Sequence, residues 1–345
     1  MSSVVAPGLL LWSEPSTKEF LRLVALAEEA GYSELWYTDI RLETDAYINL
    51  ALAAKQTKRL LLGPGVSDPY SRHPVLLAAS MATLDQVSDG RAQVGIGTGS
   101  SLEKIGLVQD RPVRALREAI EIIRLLLSGQ AAQYEGEIFR VSTGKLNFTP
   151  VRPMIPIFVA SHSRQTLKLS GKIADGVLLA NMGRRNAIDN AIAIIHEGEV
   201  EGERPAGSAK IHLRLEACIS DDERSALDAM RGRLATRLTN TYPKWDHLEE
   251  LGIEATQGLK DAASAKDSAA VGAQLSDADV RSSTLAGSVE QVTTHLLDLM
   301  APEVTKVTIR PLTFKGQPLD SVITKFIGDV WPAVESSLTS QASAN

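Results

Sequence analysis

Apolar and polar residues repeat along this chain in two strokes, a short apolar run and then a stretch with apolar positions three and four apart. The clearest example lies between Arg59 and Gly99. Leu60 to Leu62 form an apolar run that Gly63-Pro64-Gly65 breaks, and Pro74 opens a helix with apolar Leu76, Leu77, Ala79, Ala82 and Leu84. Arg91 to Ile96 begin the next strand, so the stretch reads as one parallel βαβ unit. Both strands end in glycine-rich loops, GPGVSD and GTGSS, where missing side chains let backbone N–H groups approach a flat ligand. Before it come a strand at Val4 to Trp12 and a helix capped by Ser16 or Thr17, with Phe20, Leu23, Val24 and Ala27 on its apolar face. That helix closes at Gly31, a second strand runs from Ser33 to Asp39, and a helix follows from about Asp45 to Gln56.

The rhythm continues with a helix from Val113 to Leu127, then a small hairpin in AAQYEGEIFRVSTGKLNFTP. Strands at Ile155 to Ser161, Gly176 to Asn181 and Ile211 to Ser220 alternate with helices at Arg164 to Ile173, Asn186 to Gly198 and Asp222 to Thr239. Residues 241–282 break the pattern, first aromatic and charged, then alanine-rich, and are expected to form an insertion that acts as a mobile lid. A helix at Ser288 to Met300, a strand at Lys306 to Pro311 and a helix at Ser321 to Val334 complete eight β-α repeats. The expected fold class is α/β, a single (β/α)8 TIM-barrel domain over residues 1–345 with the two insertions. A doubly wound sheet is the alternative, weakened because no G-x-G-x-x-G follows the first strand.

At 345 residues and 44% hydrophobic, the chain can bury a barrel-sized core. A net charge of -6 lacks the basic stripe that nucleic acid requires. No apolar run is long enough to span a bilayer and no secretory signal opens the chain, so a cytoplasmic location is expected. The single cysteine, Cys218, excludes an intrachain disulfide, and the six histidines show no metal-binding spacing. No G-x-S-x-G elbow points to serine hydrolysis.

The segments AEEAGYSELWYTD, LGPGVSDPYSRHP, ATLDQVSDGRAQVGIGTG, IPIFVAS and SGKIADGVLLA occur in that order. Together they resemble the bacterial-luciferase-like superfamily of flavin-dependent TIM-barrel oxidoreductases, and are most similar to its branch that uses the deazaflavin coenzyme F420. The resemblance is dense from about residue 8 to 182 and absent in the insertion. It implies a non-proline cis peptide at Gly65-Val66, a bulge against the central ring of the flavin, with Ser67 beside it. It implies that Asp39 bonds the cofactor and takes part in catalysis. Thr98, Gly99 and Ser100 would meet the ring or ribityl chain. Ala160, Ser161, His162 and Ser163, with Gly176 and Val177, would hold the cofactor phosphate, since free N–H groups at a helix N-terminus attract anions. Arg184 and Arg185 are candidates for its negatively charged tail or else a solvated helix start.

Glu14 falls where F420 dehydrogenases carry a proposed proton donor, and a carboxylate favoured by the first helix dipole is the other reading. Ile40 departs from the pattern, because relatives commonly place a histidine there as catalytic base. The nearby alternatives are Arg41, Glu43 and His73. The expected function is hydride transfer between C5 of F420 and a small organic substrate, reduction favoured. FMN is the alternative cofactor, in a monooxygenase that receives reduced flavin from a partner reductase. A barrel without redox chemistry, serving as binding protein, hydrolase or lyase, is the third possibility. A homodimer paired through the second and third helices is implied by resemblance alone.

Overall fold

The computed structural model describes residues 6–12, 16–245 and 248–344. The chain has the (β/α)8 TIM-barrel fold. Its barrel strands are β1 (Gly8–Leu11), β2 (Glu34–Tyr37), β3 (Leu61–Pro64), β4 (Val94–Ile96), β7 (Ile157–Ala160), β8 (Gly176–Ala180), β9 (Lys210–Ile219) and β11 (Val304–Pro311). Between β4 and β7 stands the anticipated antiparallel hairpin, β5 (Ala132–Glu135) with β6 (Arg140–Gly144). An unanticipated strand, β10 (Thr284–Gly287), pairs in parallel with β9. Four residues are too few to show a period, so TLAG carries no strand signal of its own.

Two compact units divide the chain, the larger comprising Gly8–Leu178 and Ala193–His212, the second Met1–Pro7, Leu179–Ile192 and Leu213–Asn345. Within the larger unit β1 pairs with β2, β2 with β3, β4 with β7 and β7 with β8, all in parallel. Bridges at Leu62–Ala92 and Ser67–Ile96 join β3 to β4. Strands β1 and β2 are buried at every position, as expected where helices cover one face and a barrel core the other. The helices of this unit are α1 (Thr17–Ala30), α2 (Ala46–Gln56), α3 (Pro74–Val87), α4 (Pro112–Leu127) and α5 (Arg164–Ile173). Helix α6 (Arg185–Glu201) begins in the second unit and ends in the larger one.

Side chains fix the strand ends. The Arg91 guanidinium donates to the Ala54, Thr57 and Leu60 carbonyls, closing α2 and setting the entry to β3. The fully buried Asp85 carboxylate on α3 accepts from Arg152 and from the Ala92 amide, which ties α3 to the start of β4. Inside the barrel Trp36 meets Phe158 edge to face at 5.7 Å, in an apolar cluster with Leu10 and Leu178. Gly63 and Gly95 make room for that ring: a Cβ at either would lie 2.9 Å from Trp36 Cζ3.

In the second unit, residues 241–282 are helical apart from their connections. They form α8 (Leu248–Leu251), α9 (Gln257–Ser264), α10 (Ser268–Gln274) and α11 (Asp277–Arg281), following α7 (Glu223–Thr241). Leu234 and Leu238 of α7 pack with Trp245, Leu248, Leu251, Leu259, Val271 and Leu275 in a core of their own. The alanine-rich composition reads as loop because each helix is too short to display a repeat. After α12 (Val289–Leu299) and β11, the expected C-terminal helix is split into α13 (Leu319–Lys325), a π-helical turn at Phe326–Val330, and α14 (Trp331–Ala344). No helix among the described residues is long and apolar enough to cross a membrane.

A Cβ at Gly198 would strike the Lys168 carbonyl and one at Gly171 the Ile195 carbonyl, where α5 and α6 touch backbone to backbone. Gly198→Ala is therefore expected to lose about 1–3 kcal/mol in urea unfolding. Gly232→Ala, on α7 with open space around it, should be neutral or stabilising. In the second unit, burial holds the His295 ring below its ordinary pKa, with Nε2 2.9 Å from the Gly183 carbonyl. The folded state resists the proton that the unfolded chain takes up near pH ~6.5, so stability falls as pH drops below that value. His295→Gln, which keeps an N–H donor, should flatten the pH dependence of unfolding between pH ~7.5 and ~5.5; an unchanged slope would exclude His295 as its source.

Candidate active site

The loops after β2, β3, β4 and β7 carry most of the expected ligand contacts, all within the larger unit. The Gly65–Val66 peptide is cis, the geometry the resemblance implies. Gly65 N–H donates to the Tyr37 carbonyl, Ser67 N–H to Gly95 and Gly97 N–H to Ser67, so the backbone after β3 is laced to β2 and β4. Val66 is half-buried and packs, like Ala160, on the Trp36–Phe158 cluster. A Cβ on Gly95 or Gly97 would lie 3.1 or 3.0 Å from a Val66 methyl. These glycines therefore preserve a shallow apolar ledge with Val66 and Ala160 at its edge.

Beside the ledge stands a hydrogen-bonded chain of polar groups. Ser67 Oγ donates to Asp39 Oδ2 at 2.6 Å. With the Ser67 proton committed to Asp39, the Tyr47 hydroxyl, 2.9 Å from Ser67 Oγ, must be the donor of that pair. Arg72 Nε donates to the same Asp39 Oδ2 at 2.9 Å, and Arg72 Nη2 reaches Asp45 Oδ2 at 2.7 Å. The guanidinium lies 4.4 Å from the centre of the Tyr47 ring. Asp45 also caps α2, accepting from the Tyr47 and Ile48 amides.

Electrostatics reinforce the geometry. Burial raises the Tyr47 hydroxyl pKa and the charge of Asp39 raises it further, so the tyrosine remains a donor. Burial opposes the Arg72 cation, but hydrogen bonds and charge from Asp39, with Asp45, outweigh it and raise its basicity. Burial likewise disfavours ionised Asp45, yet amide and Arg72 hydrogen bonds bring its pKa below the usual value. Asp39 Oδ2 is occupied by two donors, while among the described residues Oδ1 has one contact, to Arg72 at 3.4 Å. Oδ1 is the oxygen left for a ligand.

Asp68, next to Ser67, accepts from Arg41, from the Tyr70 and Ser71 amides and from the Ser71 hydroxyl. Arg41 also donates to the Ser100 carbonyl. Gln109 donates to the Thr98 and Gly99 carbonyls at 2.7 and 3.0 Å, and the Tyr70 hydroxyl to Asp110. The loop carrying Thr98, Gly99 and Ser100 is thus held from both sides. Of the alternatives to a histidine at position 40, Arg41 joins this lattice, Glu43 is exposed, and His73 caps α3 through Nδ1.

After β7, Ser163 caps α5 and Ser161 Oγ accepts from the Ser163 amide. The Arg164 and Gln165 amides occupy the first helical turn, where no intrahelical acceptor exists. His162 is exposed beside them. Gly176 and Val177 do not join this group, contrary to expectation. They are buried at the start of β8, in register with Phe158 and Val159, and Gly176 makes room for the Phe158 ring. Arg184 and Arg185 are also otherwise engaged: Arg184 donates to the Leu251 carbonyl, and Arg185 to Asp189 and the Met300 carbonyl. Glu14 lies outside the described residues.

Sequence reasoning missed Arg72, Tyr47 and Asp45 as one network. The adjacency of Arg72 to Pro74 in SRHP, and Asp45 as a helix cap, are visible in the chain, but the pairing that joins them is tertiary.

An oriented carboxylate, half-buried apolar side chains and a helix N-terminus at the strand ends of an α/β barrel are the elements of a small-molecule site. The chain belongs to the luciferase-like monooxygenase family, whose model matches residues 3–306. The 5,10-methylenetetrahydromethanopterin reductase of Methanopyrus kandleri is 28% identical over 325 residues, covering 88% of this chain and 92% of that protein. Its Archaeoglobus fulgidus counterpart is 40% identical over 158 residues, which is 45% of this chain and 47% of the length of that enzyme. The structure of the coenzyme F420-dependent tetrahydromethanopterin reductase from Methanopyrus kandleri superposes with a TM-score of 0.85 at 26% identity, covering 95% of this chain and 99% of that one.

If Arg72 and Asp39 are energetically coupled, Arg72→Met should cost about 1–3 kcal/mol by stranding a carboxylate. Asp39→Asn in the Arg72→Met background should then cost less than Asp39→Asn alone. Urea unfolding of the four proteins completes the cycle, and simple additivity would show the pair to be uncoupled.

Proposed function

We propose that the chain is an F420-dependent oxidoreductase that passes a hydride between the deazaflavin C5 and a small organic substrate, with reduction the favoured direction. The observation that carries this is the Asp39–Ser67–Arg72 arrangement beside the Val66 ledge, in a chain matched nearly end to end by an F420-dependent reductase. The residues fit the coenzyme. A side chain at Gly95 or Gly97 would press on Val66, leaving a flat apolar surface where a ring can lie, and the adjacent carboxylate suits ring N–H groups.

Asp39, whose Oδ2 is held by Ser67 and Arg72, would hold the coenzyme as a hydrogen-bond acceptor. It orients the coenzyme and moves no proton, which narrows the catalytic role expected of it. Tyr47 keeps the Ser67 hydroxyl aimed at Asp39. Val66 would support the coenzyme, and the held loop Thr98–Ser100 would provide further contacts. The Arg164 and Gln165 amides, with Ser161, His162 and Ser163, take the coenzyme phosphate at the start of α5. When bound, F420 supplies or accepts the hydride. Glu14 is assigned as the proton donor by the resemblance. Ile40 provides no base for alcohol oxidation, which favours reduction. Exposed Leu42, Ile48 and Leu52 around α2 and Leu76 on α3 support pairing of two copies through these helices.

Side-by-side quenching of F420 and FMN fluorescence by the purified protein tests the reading. Tight F420 and weak FMN binding is expected, with Asp39→Ala weakening F420 binding about 10- to 100-fold, the effect of removing a charged hydrogen-bond partner. Glu14→Gln should retain binding and slow turnover. Preference for FMN would replace the reading with a monooxygenase fed reduced flavin by a partner, and binding of neither would exclude redox function.

A further inference from the structure

His73 stands where the loop after β3 enters α3, one residue beyond Arg72. Its Nδ1 accepts from the Val75 amide at 3.3 Å, and its carbonyl accepts from the Leu76 and Leu77 amides, so side chain and backbone together close the first turn of α3. A ring nitrogen that accepts carries no proton, which puts the proton of the neutral imidazole on Nε2. Serine, threonine, aspartate or asparagine would cap the helix at any pH near neutral, whereas a second proton turns this acceptor into a donor facing an amide N–H. The imidazolium would also stand at the positive end of the helix dipole, bonded in sequence to Arg72.

Phe139, just before β6, covers part of the ring, meeting it edge to face with centroids 5.4 Å apart. That phenylalanine is held from α4, where the buried Glu118 carboxylate accepts from the Glu137, Ile138 and Phe139 amides. A Cβ at Gly136 would strike the same carboxylate, so the hairpin turn seats closely on it. The charged groups of the surrounding elements are engaged with one another: Arg72 with Asp39 and Asp45, Arg41 with Asp68, Arg111 and Arg114 with Glu137, and Arg140 with Glu135. Burial is what holds the imidazole below its ordinary pKa. The remainder of the ring is exposed, so solvent protons reach it.

We infer that His73 is a positioning residue which, as the neutral imidazole, fixes the start of α3 and through it the Arg72–Asp39 pair; its consequence for the coenzyme rests on the oxidoreductase reading. Arg72 Nε reaches Asp39 at 2.9 Å from the position adjoining the cap, so a loosened first turn lets the guanidinium drift from that carboxylate. The folded ring takes its proton only below pH ~6.5, so the cap is intact at pH ~7.5 and fails as pH falls through the lowered value. By covering the ring, Phe139 sets how far below.

Imidazole NMR of the full-length protein, with the His73 signal identified by its loss in His73→Asn, tests the cap. A neutral Nε2–H tautomer titrating below ~6.5 is expected, moved upward by Phe139→Ala; an Nδ1–H tautomer or a titration above ~6.5 would overturn the inference. F420 fluorescence quenching at pH ~7.5 and ~5.5 tests the consequence, with wild type expected to lose about 3- to 10-fold in affinity at the lower pH, the size of a lost cap. His73→Asn, which caps without titrating, should lose less, and His73→Lys should bind at the higher pH as weakly as wild type does at the lower. Equal pH dependence in wild type and His73→Asn would overturn the role. Amide exchange of residues 66–77 at the higher pH needs no coenzyme. Faster exchange in His73→Lys than in wild type and His73→Asn supports the positioning, and equal exchange in all three would overturn it. Faster exchange in His73→Lys, with no F420 binding by wild type, would refute the coenzyme reading and leave the role of His73 at Arg72 standing.

Discussion

Arg72 is the cation on which the ends of β2 and β3 depend. A carboxylate left half-buried at a strand end must find donors or take up a proton, and Asp39 finds both Arg72 and Ser67. The same guanidinium reaches Asp45 at the start of α2, while the Tyr47 ring lies beneath its plane. Three separate segments, the loop after β2, the first turn of α2 and the loop after β3, are thereby set relative to one another within the larger unit. Packing around them is already tight, since Gly65 would bring a Cβ within 2.9 Å of Leu10. Rigid placement of one acceptor beside an apolar ledge is what a barrel can contribute when the reactive chemistry belongs to a bound coenzyme.

That division explains the character of the side chains at the site. Asp39 is surrounded by donors, which suits an acceptor. Tyr47 remains a hydrogen-bond donor because burial and a neighbouring negative charge both oppose its ionisation. The loop after β2 carries Ile40 and no histidine to serve as a base. Reduction needs no such base, since the hydride comes from the reduced coenzyme and the proton can come from a carboxylic acid or solvent.

Much of this architecture is legible in the amino-acid sequence. Parallel strands buried on both faces appear as continuous apolar runs, and all eight barrel strands are anticipated in the sequence, by runs such as LLLG and GVLLA. The loop junction at Gly65–Val66 and the strand-end Asp39 are legible through resemblance. What is not legible is informative. Gly176 looks like a ligand glycine because both a phosphate loop and a close ring contact demand a missing side chain, and only the register with Phe158 decides between them. The 241–282 insertion looks loose because alanine-rich helices of five to eight residues draw their stability from a shared core around Trp245 and Leu238, which no single segment reveals. Arg72 and Asp39 lie 33 residues apart, and nothing local marks them as partners.

The two charged centres differ in a way that bears on their roles. Around Arg72, two carboxylates share one guanidinium. Around Glu216 the ratio is reversed, with three guanidinium groups sharing one carboxylate. Desolvating like charges is unfavourable unless geometry or an opposite charge compensates, and burial already lowers the basicity of Arg237. Glu216 therefore compensates buried cations that would otherwise repel one another, and in doing so ties β9, α7 and β11 together.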